Sequence, residues 1–206
     1  TADVNIEEPV SPKKAFIAIV ATLLGGLVGT ALVLLRRMLN RGVEDPEVIE
    51  QLGLPVYATI PYSRDQELVE TKKKGERSAS DAASMLLAVS NPADLAIEAL
   101  RSLRTSLHFA RLEAKNNILM ISGPSPGVGK SFVSANLGAI MAQAGQRVLL
   151  IDADMRKGYL NKLFKLPAEN GLSELLATRI TSKDAIYQTE VEGLQGVPRG
   201  QIPPTP

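Results

Sequence analysis

Gly123-Pro124-Ser125-Pro126-Gly127-Val128-Gly129-Lys130-Ser131 decides the fold. It lies between a short apolar run, Asn117 to Ser122, and a helix-forming run, Ser131 to Ala144. Glycines let backbone N–H groups turn inward around phosphate oxygens with no Cβ in the way. A helix that starts just beyond them adds its unpaired N–H groups and the positive end of its dipole. A lysine in this position sets an ammonium against the β- and γ-phosphates, and a following serine offers its hydroxyl to Mg²⁺. The strict pattern is G-x-x-x-x-G-K-[ST]. Pro124 stands at its first glycine, while the working end from Gly127 to Ser131 is intact. A fortuitous Gly-rich turn is the plain alternative, and the flanking strand and helix argue against it. The nucleotide-binding residues are therefore expected to be Gly127, Val128, Gly129, Lys130, Ser131 and Phe132.

Arg147 to Asp152 (RVLLID) is a second apolar run, and Gly145 suits the position just past a helix end. Strand, loop, helix, strand is a βαβ unit, and such units build parallel sheets. The second strand ends in Asp152-Ala153-Asp154. Ligands of open α/β sheets bind at the carboxyl ends of the strands, the edge where the glycine-rich loop also opens. One carboxylate is expected to hold Mg²⁺ through water and the other to accept a proton from an attacking hydroxyl. Alone, an Asp pair here also reads as the start of a loop or a helix cap. Upstream, Asn91 is expected to cap a helix with Pro92 in its first turn. Leu95, Ala96, Ala99, Leu100, Leu103, Leu107 and Ala110 recur at helical spacing, and Glu98, Arg101 and Arg104 share the other side.

Ala15 to Leu35 holds no charged residue over 21 positions. At about 1.5 Å per residue such a helix crosses a hydrocarbon core of roughly 30 Å. Lys13 and Lys14 precede it, and Arg36 and Arg37 stop it where a secretory signal would carry small residues for cleavage. A buried core helix is the competing reading, and it is rarely so long and charge-free. Gly25 and Gly29 form a small-xxx-small pair that lets two helices approach, although glycines are common in membrane helices. Residues 1–14 are polar with Pro9 and Pro12, and 36–90 form a juxtamembrane linker. Within that linker Leu54 to Pro61 suits one extended strip, and Lys72, Lys73, Lys74 and Arg77 sit in a charged solvated loop or against anionic lipid. The folded domain is expected over 91–206. With a net charge of +1, no strong global field attracts nucleic acid. The absence of cysteine and the single His108 exclude a disulfide framework and a multi-histidine metal centre. The start at Thr1 and the Pro-rich run to Pro206 are read as cut from something longer.

Taken together, the Walker-type loop and the Asp152-Ala153-Asp154-Met155-Arg156-Lys157-Gly158 stretch resemble the bacterial tyrosine kinases (BY-kinases) attached to polysaccharide co-polymerases. That family has a second Walker strand ending D-x-D, and it is unrelated to the eukaryotic kinases, whose H-R-D and D-F-G patterns are absent here. Glu98-x-x-Arg101-x-x-Arg104 is similar to the E-x-x-R-x-x-R helix through which such kinase domains assemble into a ring. From spacing alone it is equally an ordinary salt-laced surface helix. The Pro-preceded apolar helix looks like the last membrane span of the co-polymerase module. The resemblance implies a P-loop NTPase-like α/β fold with a parallel sheet, here a partial domain preceded by one transmembrane helix. It implies ATP and Mg²⁺ as cofactors, Lys130 and Asp152 as catalytic residues, and Ser131 and Asp154 as metal ligands. Further implications are a homo-oligomeric ring, a polysaccharide export machinery and a tyrosine phosphatase as partners, and an inner-membrane location with the kinase part cytoplasmic.

The chain departs from the family in two ways. Nothing after Asp154 reads as four apolar residues followed by the Walker B Asp. Tyr57, Tyr62, Tyr159 and Tyr187 do not form the family's C-terminal tyrosine cluster, and each suits a packing or surface role. Arg199 to Pro204 resembles the loop just before the segment that is missing, so half of an active site is expected. Two other readings stay open: a MinD/ParA-type ATPase, and a co-polymerase scaffold whose kinase half is degenerate or carried on another chain. The ATPases usually read D-x-D-P-Q or carry an early loop lysine, where Ser125 stands here.

Overall fold

A computed structural model describes residues 14–39, 46–65 and 86–202. The expectations for residues 1–13, for the Lys72–Arg77 charge run and for Pro203 to Pro206 lie outside the described residues. The chain divides into two compact units, 1–55 and 56–206.

In the first unit, helix α1 spans Lys14–Leu39. Its stretch Phe16–Arg36 is long and apolar enough to cross a membrane, and none of it is buried within the protein. The hydroxyls of Thr22 and Thr30 donate to the carbonyls of Ala18 and Gly26, one turn back, at 2.8 Å each. Both polar groups are thereby satisfied inside the helix, as an apolar solvent requires. Helix α2 (Pro46–Gln51) starts at a proline whose missing N–H belongs to an orphan position anyway.

The second unit is built around α5 (Lys130–Gln143). Every residue from Ala135 to Ile140 is buried, and a helix covered all round belongs in a core. Leu137, Ala139 and Ile140 pack with Leu86, Leu87 and Ala88, with Ile97 and Leu100, and with Leu194. Ala144 closes the helix. Gly145 follows at φ +81°, its N–H donating to Ala142 O and that of Gln146 to Met141 O. This pair of bonds is the Schellman ending that the glycine foretells. The buried amide of Asn136 is bonded at both ends: Oδ1 accepts the Ala88 N–H at 2.8 Å and Nδ2 donates to Phe132 O at 2.9 Å. It pins α3 (Leu87–Ser90) to α5.

Helix α4 (Leu95–Ala110) packs beside α5 through Ala96, Ile97 and Leu100, with Leu103 and Leu107 partly covered. Its cap is Asp94 rather than Asn91, because the Asp94 carboxylate accepts the Ala96 N–H at 2.7 Å. Asn91 ends α3 instead, and its amide reaches Asp65. The Ser63 hydroxyl donates to the second Asp94 oxygen at 2.7 Å. A 3-10 turn, Arg111–Glu113, follows α4.

The sheet is mixed, where a parallel one was expected. Strand β1 (Val148–Ile151) runs parallel to β3 (Leu194–Val197), from Val148 opposite Leu194 to Ile151 opposite Val197. Strand β2 (Tyr187–Gln188) joins the far side of β3 antiparallel, because residues 189–193 make a hairpin too short for a crossover. Short helices α6 (Leu160–Leu163), α7 (Leu172–Leu176) and α8 (Ser182–Ala185) carry the chain from β1 back to β2.

The segment 117–122, expected as a strand, forms none. Ile118 and Met120 are 83% and 84% exposed, and only Ile121 leans on the core. The physical reason is pairing. A strand exists by virtue of a neighbour's N–H and C=O groups, and among the described residues only β3 pairs with β1. Leu54 to Pro61 also forms no strand, although Ile60 does pack on the core.

Candidate functional site

The glycine-rich loop meets α5 at Gly129, the residue before its first turn, with φ +90°. Gly127 has φ +80°. Both values lie in the left-handed region that glycine enters freely, so these positions present N–H groups in orientations a side chain would oppose. A Cβ on Gly123 would come within 2.8 Å of Val128 Cγ2, so the loop's two ends are held close together. Lys130 Nζ donates to Ser125 O at 3.0 Å, folding the side chain back over the loop. Ser131 is exposed in the first turn. Phe132 is half-buried against the core, so it contributes a main-chain N–H to this end of the helix while its ring serves packing.

The two aspartates leave β1 at the same end but behave differently. Asp152 is 7% exposed. Its Oδ1 accepts the Asp154 N–H at 3.2 Å and its Oδ2 accepts the Leu160 N–H at 3.0 Å, which closes the 152–160 turn. Its own N–H donates to Val197 O at 2.9 Å and extends the β1–β3 ladder. A Cβ on Gly158 would lie 2.7 Å from Asp152 Oδ2, so only glycine fits against this carboxylate. Asp154 is exposed, and its Oδ1 accepts the N–H groups of Lys157 at 2.8 Å and Arg156 at 3.1 Å. The Lys157 N–H is the main cause that holds its carboxyl below the usual value of 3.8. A small burial penalty opposes it, and the Arg156 N–H and the charges of Lys130 and Arg199 add to it. The charges of Lys130 and Arg199 thus both favour the ionised form of Asp154.

The charges expected to make an interface sit on α4. Glu98 pairs with Arg101 on its own helix, and Arg101 also donates to Pro92 O at 3.0 Å. Arg101 and Arg104 are half-buried. Of the four tyrosines, Tyr57 and Tyr62 are exposed and Tyr159 and Tyr187 half-buried; Tyr187 donates to Glu169 O at 3.3 Å.

Three features escaped the sequence reading. Arg199 stands in the loop after β3 and acts on Asp154. Glu174 grips that loop by accepting the Gln201 N–H at 3.0 Å. Asn136 pins the helix that the glycine-rich loop opens. Gly171-x-x-Glu174 carried a signal, since a glutamate three residues after a cap commonly returns to the cap N–H. Nothing local marked the reach to residue 201.

Comparisons with known proteins show what the chain is similar to. Residues 119–172 match the family model CbiA, the CobQ/CobB/MinD/ParA nucleotide binding domain. Residues 1–38 match GNVR, a G-rich domain. The tyrosine-protein kinase ptk of Acinetobacter johnsonii is 49% identical over 97% of this chain and 27% of its own length. The tyrosine-protein kinase wzc of Salmonella typhimurium is 46% identical over 99% of this chain and 29% of its own. For etk of Escherichia coli the values are 47%, 97% and 28%. Among solved structures, the BceF tyrosine kinase domain superposes with a TM-score of 0.70 at 43% identity, over 80% of this chain and 65% of that one. The kinase domain of Escherichia coli ETK gives 0.69 at 48%, over 79% and 62%. The chain thus spans less than a third of the curated relatives' length. Along the segment that they share, it belongs to the bacterial tyrosine-protein kinases.

Proposed function

We propose that this chain supplies the membrane anchor and the phosphate-binding part of an ATP-dependent protein-tyrosine autokinase that regulates extracellular polysaccharide synthesis and export. The observation that carries the reading is the Gly129-capped loop, whose Lys130 charge acts on the Asp154 carboxylate. In this reading the loop N–H groups and Lys130 hold the β- and γ-phosphates and offset the charge of a loose transition state. Ser131 and Asp154 are hard oxygen donors of the kind Mg²⁺ prefers. These two residues would hold the ion from this chain's side. Bound there, the metal supplies charge neutralisation on the phosphates. Asp152 is the base for a tyrosine hydroxyl. Each of its oxygens accepts one N–H, and each keeps a second lone pair for a proton. The domain divisions remain those of the sequence reading: flank 1–14, span 15–35, linker 36–90 and kinase part 91–206, with the kinase part on the cytoplasmic side, where ATP is found. The stripe of Glu98, Arg101 and Arg104 serves contacts between copies in a ring; export proteins and a tyrosine phosphatase are further partners.

The test is saturable binding of a non-hydrolysable ATP analogue with magnesium, lost in Lys130→Ala, followed by transfer of labelled phosphate from ATP to tyrosine. The match to the nucleotide binding domain named for MinD and ParA favours a second reading, an ATPase. Free phosphate released without phosphotyrosine would decide for it. Unchanged polymer length in cells carrying Lys130→Ala would decide for a scaffold.

A further inference from the structure

Glu174 lies on α7, outside both the glycine-rich loop and the acidic turn, and the chemistry above makes no use of it. A capping glutamate needs one oxygen. Here Oε2 accepts the Gly171 N–H at 2.8 Å, and Oε1 accepts the Gln201 N–H at 3.0 Å, 27 residues further on. The N–H groups of Leu172 and Ser173 donate to Pro198 O and Arg199 O, both at 2.8 Å. Glycines make the approach possible. A Cβ on Gly171 would fall 2.2 Å from Gly200 N, and one on Gly200, at φ +85°, would fall 2.0 Å from Glu174 Oε2. The first turn of α7 is thus laced to the backbone of residues 198–201.

That loop leaves β3 beside the point where β1 delivers Asp152, and Val197 O accepts the Asp152 N–H. Arg199 Cβ lies 2.9 Å from where a Cβ on Gly158 would stand, which packs the residue against the acidic turn. We propose that Glu174 is a positioning residue of the phosphate site: by gripping the 198–201 backbone it fixes where the Arg199 guanidinium stands beside the Asp152–Asp154 turn. The proposal rests on the nucleotide reading above. Arg199 then gives an anionic ligand seated on Lys130 a second cation, and Glu174 acts only through it.

The experiment is a double-mutant cycle on the full chain in detergent, with magnesium and a fluorescent non-hydrolysable ATP analogue. Glu174→Gln keeps the shape but turns an NH₂ group toward one of the two N–H donors. Glu174→Gln and Arg199→Ala are each expected to weaken affinity about three- to tenfold, and the double variant to bind no worse than Arg199→Ala alone. A purely structural role predicts the same loss from Glu174→Gln in either background. That result, or unchanged affinity in Glu174→Gln, overturns the proposal. Gly200→Ala pushes on the same carboxylate from the loop side and, if Glu174→Gln does not fold, must show the same non-additivity with Arg199→Ala. Absence of saturation in the unsubstituted chain overturns the nucleotide reading itself. Saturation that is lost in Lys130→Ala but accompanied by an additive cycle overturns only the role of Glu174.

Discussion

The two sides of the candidate site are made differently. The acidic side is tied down. Both Asp152 oxygens accept backbone N–H groups, Val197 holds the Asp152 N–H, and Glu174 laces residues 198–201 to α7. The glycine-rich side is tied through α5 and, ahead of the loop, through Ile121 against the core. The loop and helix are formed, but Ile118 and Met120 just before them lie bare, and the outer edge of β1 exposes Leu149 and Ile151. Leu149 and Ile151 share one bare face of β1, and among the described residues the strand's outer edge has no pairing neighbour, whereas the acidic turn is complete within its own hydrogen bonds.

The contrast is open to direct attack. The largest effect is expected from Lys130→Ala, which should reduce phosphoryl transfer by about 10²–10³-fold through lost charge stabilisation, read in a labelled-ATP assay on a protein that transfers phosphate. Next comes Asp152→Ala. It orphans the Leu160 and Asp154 N–H groups, and should lower stability by about 2–4 kcal/mol in a urea titration. Asn136→Ala removes acceptor and donor from a buried pin and should cost about 1–3 kcal/mol by the same measurement. By contrast, Met120→Ser on the bare side should change stability by less than about 0.5 kcal/mol. A loss as large as that at Asp152 would show that the two sides are equally built.

The smallest effect concerns acid. The depressed Asp154 carboxyl contributes stability that is fully present above its ordinary value of 3.8 and is lost as pH falls through its lower folded-state value. Asp154→Asn should therefore slightly flatten the acid limb of a stability-versus-pH curve below about pH 4, because the group is exposed and solvent screens it. An unchanged acid limb would mean that the N–H groups of Lys157 and Arg156 do not hold the charged form.

Most of what carries the fold was legible where the physics is local. Gly127-x-Gly129-Lys130-Ser131 announces its loop because only glycine tolerates those backbone angles, and Gly145 announces the end of α5 for the same reason. The charge-free run from Ala15 announces α1 by length and composition. Asn91 misled, because a second capping residue, Asp94, stood three positions on, and only the position of the helix start chose between them.

Pairing across the chain was another matter. The apolar run 118–121 has the composition of a strand, yet a strand needs a neighbour, and which segments become neighbours is decided by tertiary structure. By itself the sequence determined the long apolar helix, the glycine-rich loop and the two acids at the end of β1, since each follows from side-chain chemistry within a few residues. Only the folded molecule decided that Asp152 closes a turn, that Glu174 reaches residue 201, and that the sheet is mixed, because each depends on contacts between residues far apart along the chain.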